Sequence, residues 1–201
     1  MNLMYLKSDN YRQYPSLYPM TLIILSLCLA VYVLHISPLF PKGLLYYNGA
    51  GVNLYIANGE WWRLLTPIFL HISFSHFLFN SLSILLFGPL LERHLGSSLF
   101  AGFFLLTGLI ANIATYLFMP LSYVHVGASN SIMGLLGFYL YASIFHKQPV
   151  PKQFETTIYS LAIFAVIMSL IEPNINLIGH FTGLIAGFVF APFFQKRSQQ
   201  L

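Results

Sequence analysis

Charged residues are scarce in this sequence. Only 7% of its 201 residues are Asp, Glu, Lys or Arg, whereas soluble domains carry about 25%. In contrast, 57% of the residues are hydrophobic, and the mean hydropathy is +0.73. This composition excludes an ordinary soluble domain and predicts an integral membrane protein. The length suits one compact bundle of helices.

Cysteine and aspartate are almost missing. Cys28 is the single cysteine, so an internal disulfide is excluded, and Asp9 is the single aspartate, so a membrane aspartate pair is excluded. No H-E-x-x-H zinc motif occurs, and His71 and His76 lie five apart without a carboxylate beside them. We therefore expect neither a metal nor another cofactor. The net charge of +4 comes from residues near segment ends, which indicates membrane topology and not nucleic-acid binding.

Six apolar runs are long enough to suggest membrane spans, which need about 20 residues. Together they predict an all-α, polytopic bundle of six transmembrane helices, with a cytoplasmic segment at 1–18, a membrane domain at 19–195 and a cytoplasmic tail at 196–201. The predicted spans are Met20–Ile36, Phe74–Leu91, Leu99–Phe118, Ser129–Phe145, Phe154–Ile171 and Leu177–Phe194.

The basic residues predict the orientation. With the N-terminus inside, Lys42 and Arg63 are the only two of nine basic residues left outside, in agreement with the positive-inside rule. Both termini are then cytoplasmic, and we expect the protein to lie in the inner (cytoplasmic) membrane of a cell. Residues 37–73 join the first two spans and are rich in Trp, Tyr and Leu. We expect them to form a structured loop that lies in the outer interface.

Polar residues recur near the outer ends of spans two, four and six, at His76, Asn80, Ser129 and His180. The helix rise of ~1.5 Å per residue places all four roughly 18 to 26 Å above the inner ends of their spans. They therefore share one layer of a hydrocarbon core that is ~30 Å thick. Small residues at every fourth position of span six, including Gly183 and Gly187, predict close helix packing there.

Each polar residue also has a plainer interpretation. A serine at a helix start is usually a cap, a membrane histidine often only donates a structural hydrogen bond, and His76 and Asn80 could simply bond each other. Their common depth on three alternate helices favours a hydrolytic site instead. Ser129 is then the nucleophile and His180 its base, while His76, Asn80 and the Ser129 amide meet the oxyanion. Ser131 is two residues, about 200°, round the helix from Ser129, so we expect it to point away from Ser129 and to serve packing or capping.

Five motifs in the same order resemble those of the rhomboid intramembrane serine proteases, over about two-thirds of the chain. They are "WWR" at 61–63, "HISFSHFLFN" at 71–80, "ERHLGS" at 92–97, "GASNSIMGLLG" at 127–137 and "GHFTGLIAG" at 179–187.

The resemblance implies a Ser129–His180 dyad that cuts transmembrane segments of other proteins near the outer face of the bilayer. It implies structural roles for Trp62 and Arg63 in the outer loop, an inner turn held by Glu92 and Arg93, and a mobile cap at Glu172–Asn176.

This chain departs from the family pattern at two positions. The family often has Gly where Asn130 follows Ser129, and commonly an aromatic residue where Met133 stands.

Two other functions stay open at this stage. A silent relative that only binds membrane helices would usually lack the serine or the histidine, and both are present here. A small transporter or channel would need a polar track through the membrane midplane, yet the inner halves of spans four and six are apolar.

Overall fold

The computed structural model describes residues 17–145, 152–171 and 175–198, and most of them are helical. We number the elements in chain order. They are α1 (Pro19–Ile36), α2 (Leu44–Gly49), β1 (Gly51–Val52), α3 (Asn53–Ala57), two 3-10 helices (Trp61–Leu64 and Thr66–Phe69), α4 (Phe74–Leu95), α5 (Ser97–Phe118), β2 (Val124–His125), α6 (Ser129–Ile144), α7 (Lys152–Ile171) and α8 (Leu177–Ser198).

Four of these helices have the length and hydropathy of membrane spans. They are α1, α4, α5 and the first 18 residues of α8, and they agree in position with four of the six predicted spans. The helices predicted as spans four and five are present as α6 and α7. Because α6 has only 16 residues, it is shorter than a usual span. The protein is a polytopic helical bundle, and the number of six crossings stays a prediction.

The segment between α1 and α4 is structured, and it contains the one departure from an all-helical fold that the described residues show. Its strand β1 pairs antiparallel with β2, with Gly51 opposite His125 and Val52 opposite Val124. The backbone groups of these residues lie outside any helix, so they satisfy one another across the pair. The pair joins the segment to the residues just before α6.

Arg63 is the anchor of this segment. Its guanidinium is buried, with 2% of the residue exposed, and it donates to the Ala50 carbonyl at 2.8 Å and to the Glu60 carboxylate at 2.6 Å. Its charge also lies 4.8 Å from the centre of the Tyr55 ring. The neighbouring Trp62 is half exposed and donates its indole N–H to the Asn48 carbonyl at 3.0 Å. A buried cation with satisfied donors holds the segment's fold.

Glu92 binds the start of α1. The family resemblance implied instead that Glu92 and Arg93 hold an inner turn. The carboxylate accepts the backbone N–H groups of Met20 and Thr21, both at 2.8 Å, and the Thr21 hydroxyl at 2.7 Å. It therefore caps the first turn of α1, where unpaired N–H groups and the helix dipole favour an anion. Arg93, the next residue, is exposed. The turn itself consists of Gly96, whose φ of 80° suits glycine.

Helix α6 lies at the centre of the bundle. Eleven of its residues are buried, and its aromatic side chains interlock with those of α5 and α8. The ring of Phe103 lies edge-on to Phe138 at 5.3 Å and to Phe194 at 4.9 Å, which is a favoured aromatic geometry. Because neighbouring helices cover most of α6, its first turn is held from several sides.

We predict that Glu92→Gln destabilises the fold. The amide offers one acceptor oxygen where the carboxylate has two, so an N–H group of α1 loses its partner, at a cost of about 2–3 kcal/mol. Thermal unfolding in detergent micelles measures the effect. Ser83→Ala, an exposed change on the same helix, is the control and should alter stability by less than about 0.5 kcal/mol. Equal unfolding midpoints for Glu92→Gln and the unchanged protein would contradict the capping role.

Candidate active site

Helix α6 begins at Ser129, two residues after a backbone position that requires glycine. Gly127 has a φ of 113°, which side-chain-bearing residues rarely adopt. Its N–H donates to the Pro67 carbonyl at 2.8 Å, and its Cα faces the His76 ring so closely that a Cβ there would overlap Nε2. Glycine is thus required both for the turn and for the approach of His76. Ser129, two residues later, is partly exposed.

Helices α6 and α8 meet backbone to backbone through glycines. A Cβ on Gly183 would overlap the Asn130 carbonyl oxygen, one on Gly187 would overlap that of Gly134, and one on Gly137 would overlap that of Leu184. The first two contacts advance by four residues on both helices, so α6 and α8 run in the same direction. This confirms the close packing expected of the small-residue stripe in span six.

The register of these contacts places His180 near the start of α6. His180 lies one turn before Gly183 on the same face of α8, and Gly183 packs on Asn130, the neighbour of Ser129. His180 is 9% exposed, so the bundle shields most of it from water. The structure thus brings α4, α6 and α8 together in this region, as their common depth predicted.

His76 and Asn80 occupy successive turns of α4. The Asn80 side chain is 6% exposed and donates to the His76 backbone carbonyl at 2.8 Å. The sequence also allowed a hydrogen bond between the side chains of His76 and Asn80. The observed bond instead joins the Asn80 side chain to the His76 backbone. Since an amide has two N–H groups, this bond uses one of the two donors of Asn80.

The first turn of α6 supplies further donors. Ala128 precedes the helix without a side-chain cap, and the first amide bonded back to this turn is that of Ile132, at 3.0 Å from the Ala128 carbonyl. The earlier N–H groups, including that of Ser129, therefore lack intrahelical acceptors. Such a helix start favours negative charge.

Two buried histidines, His71 and His125, flank this region, and neither was assigned a catalytic role from the sequence. His71 lies edge-on to His76 with ring centres 5.0 Å apart, and His125 packs on Gly51. None of their ring nitrogens has a hydrogen-bond partner among the described residues. Burial lowers the pKa of both rings from 6.5 to about 4, and for His71 the nearby His76 adds to this effect.

Three buried asparagines lie near the candidate site, and the sequence analysis assigned no role to the first of them, Asn112. Asn112 on α5, Asn130 on α6 and Asn176 just before α8 all lie around the first turn of α6. The available signal was a polar residue inside an apolar run, as in "GLIANIATY". By contrast Ser131 packs on Gly108 of α5, as its expected orientation implies. Residues 172–174 of the expected cap lie outside the described residues. In the described part of the chain, no three His, Cys, Asp or Glu side chains group as metal ligands.

Comparison with known proteins supplies the family. The sequence profile of the rhomboid domain matches residues 58–197. The chain belongs to the rhomboid family. It is 44% identical, over 92% of its length and 94% of the relative's, to YdcA of Bacillus subtilis (strain 168), itself named as a candidate rhomboid protease.

Other rhomboid relatives are longer than this chain. Rhomboid protease GluP of Bacillus subtilis (strain 168) is 40% identical over 70% of this chain, which spans 27% of GluP. Rhomboid-like protease 1 of Toxoplasma gondii is 30% identical over 79% of this chain and 56% of the relative. These rhomboid relatives indicate intramembrane protease activity, and the apolar helices agree with a multi-pass membrane protein.

The glycine contact between α6 and α8 yields a prediction. Gly187→Ala should lower the unfolding midpoint and the activity together, because the new methyl group overlaps the Gly134 carbonyl. Gly102→Ala is the matched control, since no atom lies within 4 Å of the position of its Cβ. It should be neutral, or stabilising by up to ~1 kcal/mol through helix propensity. Similar unfolding midpoints for the two variants would contradict the contact.

The buried histidines yield a pH dependence. The unfolded chain binds protons at these rings near pH 6.5, whereas the folded protein resists them until about pH 4. The contribution of these neutral histidines to the free energy of unfolding is therefore fully present above pH 6.5, and it falls as the pH drops towards 4. In His125→Phe this fall should become shallower, by up to about 1.4 kcal/mol per pH unit. Unfolding midpoints at pH 8, 6.5, 5.5 and 4.5 measure it. Parallel curves for the variant and the unchanged protein would refute the assignment to His125.

Proposed function

We propose that this protein is an intramembrane serine endopeptidase that cleaves transmembrane segments of membrane proteins near the outer face of the bilayer. Ser129 is the nucleophile and His180 the base. The observation that carries this proposal is the register of α6 on α8, in which Gly183 packs on the Asn130 carbonyl. That contact brings the residue beside Ser129 within one helical turn of His180.

The reaction uses groups that the chain itself supplies. As the Ser129 hydroxyl oxygen bonds to the carbonyl carbon of the scissile peptide, its proton passes to His180. The oxyanion that forms accepts the Ser129 amide and side-chain donors of His76 and Asn80. The carbon–nitrogen bond then breaks, and His180 gives its proton to the leaving amine. A water molecule next loses a proton to His180, attacks the acyl carbon and releases Ser129 with its proton restored.

The membrane topology completes the proposal. The protein lies in the inner (cytoplasmic) membrane of a cell and crosses it six times, with both termini in the cytoplasm. The starts of α4, α6 and α8 then lie near the outer face of this membrane. The segment between α1 and α4, held by Arg63, then lies in the outer interface. In the proposed domain organisation, residues 1–18 and 196–201 flank a membrane domain at 19–195. The proposed catalytic pair is a dyad of Ser129 and His180.

Ser129→Ala should abolish both cleavage of a transmembrane reporter and labelling by a fluorophosphonate, because the attacking oxygen is gone. His180→Ala should abolish cleavage as well. Ser131→Ala is the matched control: it removes a buried hydroxyl two residues along the same helix, one that packs on Gly108, and it should keep both activities. The assay uses purified protein in liposomes of anionic and zwitterionic phospholipid.

Undiminished labelling of Ser129→Ala would remove this serine from the role of nucleophile. Full cleavage by His180→Ala would remove the dyad.

A further inference from the structure

A chain of two buried amides joins the outer segment to the residue beside Ser129. The Asn112 side chain donates through Nδ2 to the Leu64 carbonyl at 2.8 Å. Its Oδ1 accepts from Nδ2 of Asn130 at 2.7 Å. Asn112 is 1% exposed and Asn130 is 3% exposed, so water competes little for these bonds. This chain of hydrogen-bonded amides runs from the first 3-10 helix through α5 to the first turn of α6.

The backbone carbonyl of Leu64 fixes the direction of this chain. A carbonyl oxygen only accepts, so the NH₂ group of Asn112 has to face it. The oxygen of Asn112 then faces Asn130, and the NH₂ group of Asn130 has to face that oxygen. Reversing either amide would set two acceptors or two donors against each other, so both side chains are held in one orientation.

Helix α8 holds Asn130 from the opposite side. A Cβ on Gly179 would lie 2.5 Å from Oδ1 of Asn130 and 2.5 Å from Nδ2 of Asn176, so the missing side chain leaves space for the Asn130 amide. The Asn130 backbone carbonyl packs on Gly183. The Asn130 side chain is thus hydrogen-bonded to α5, and its backbone carbonyl packs on α8. Asn130 takes the position where the family often has glycine, and Gly179 and Asn112 accommodate the larger residue.

We propose that Asn112 and Asn130 are positioning residues for Ser129. The first turn of a helix lacks backbone bonds on its N–H side, so the placement of Ser129 depends on what holds its neighbours. Catalysis needs the reacting groups within roughly 0.5 Å of their productive geometry. The amide chain supplies this restraint and links it to the outer segment. The inference rests on the proposed function, and it adds two residues that do not touch the substrate.

A purely structural role for the two amides makes a different prediction. Buried hydrogen bonds that only stabilise the bundle would lower the unfolding midpoint and leave the turnover of the folded enzyme unchanged. A positioning role lowers kcat and the rate of fluorophosphonate labelling at Ser129, with little change in KM, because substrate binding does not use these amides.

The experiment compares Asn130→Gly, Asn112→Leu and the double variant, well below their unfolding midpoints. Each single variant should lower kcat and the labelling rate about 10- to 100-fold, with KM unchanged within about twofold. The double variant should be no slower than the slower single variant, since both changes break the same chain. Asn130→Gly is the milder change and keeps the test valid if Asn112→Leu does not fold.

Asn53→Ala is the matched control. Asn53 is buried and donates to the carbonyls of Thr115, Met119 and Pro120, at the end of α5 and outside the amide chain. It should lower the unfolding midpoint and leave kcat unchanged. Unchanged kcat in Asn130→Gly and Asn112→Leu, beside Ser129-dependent cleavage by the unchanged protein, would overturn the positioning role alone. Loss of Ser129 dependence in the unchanged protein would overturn the proposed function itself.

Discussion

The approach of α8 to α6 is the constraint on which the candidate site depends. Carbonyl oxygens of one helix lie where a Cβ of the other would stand, at Gly183 and Gly187. In an apolar surrounding there is little hydrophobic drive for helices to associate, so close backbone packing has to supply the attraction. The same contact sets the height of His180 against the start of α6. Stability and the geometry of the site are therefore inseparable along this seam.

Several of the few polar and charged side chains of the bundle hold backbone groups. The Glu92 carboxylate holds N–H groups of α1, Arg63 holds a carbonyl of the outer segment, and Asn53 holds the end of α5. A buried polar group without a partner is costly, so these side chains lie where helices start or end. In these three cases the hydrogen bonds hold the end of a helix or the outer segment.

The sequence predicted the helices well, because long apolar runs report membrane helices directly. Helix α8 begins at Leu177 and α6 at Ser129, as expected. Helical rise and depth also predicted that α4, α6 and α8 come together near their starts, where the structure brings them into contact. The partners of single side chains were beyond this reasoning. Glu92 and Thr21 are 71 residues apart, and the pairing of Asn112 with Asn130 depends on how three helices pack, which periodicity does not encode.

The single residue between α4 and α5 has a consequence for how the chain enters its membrane. Each of these helices has 22 residues, and only Gly96 separates them. A joint this short leaves no spare polypeptide that could keep one helix in water while its neighbour already sits in lipid. We therefore expect the two helices to enter the membrane as one hairpin, whose single-residue joint offers no loop for a protease or an inserted tag.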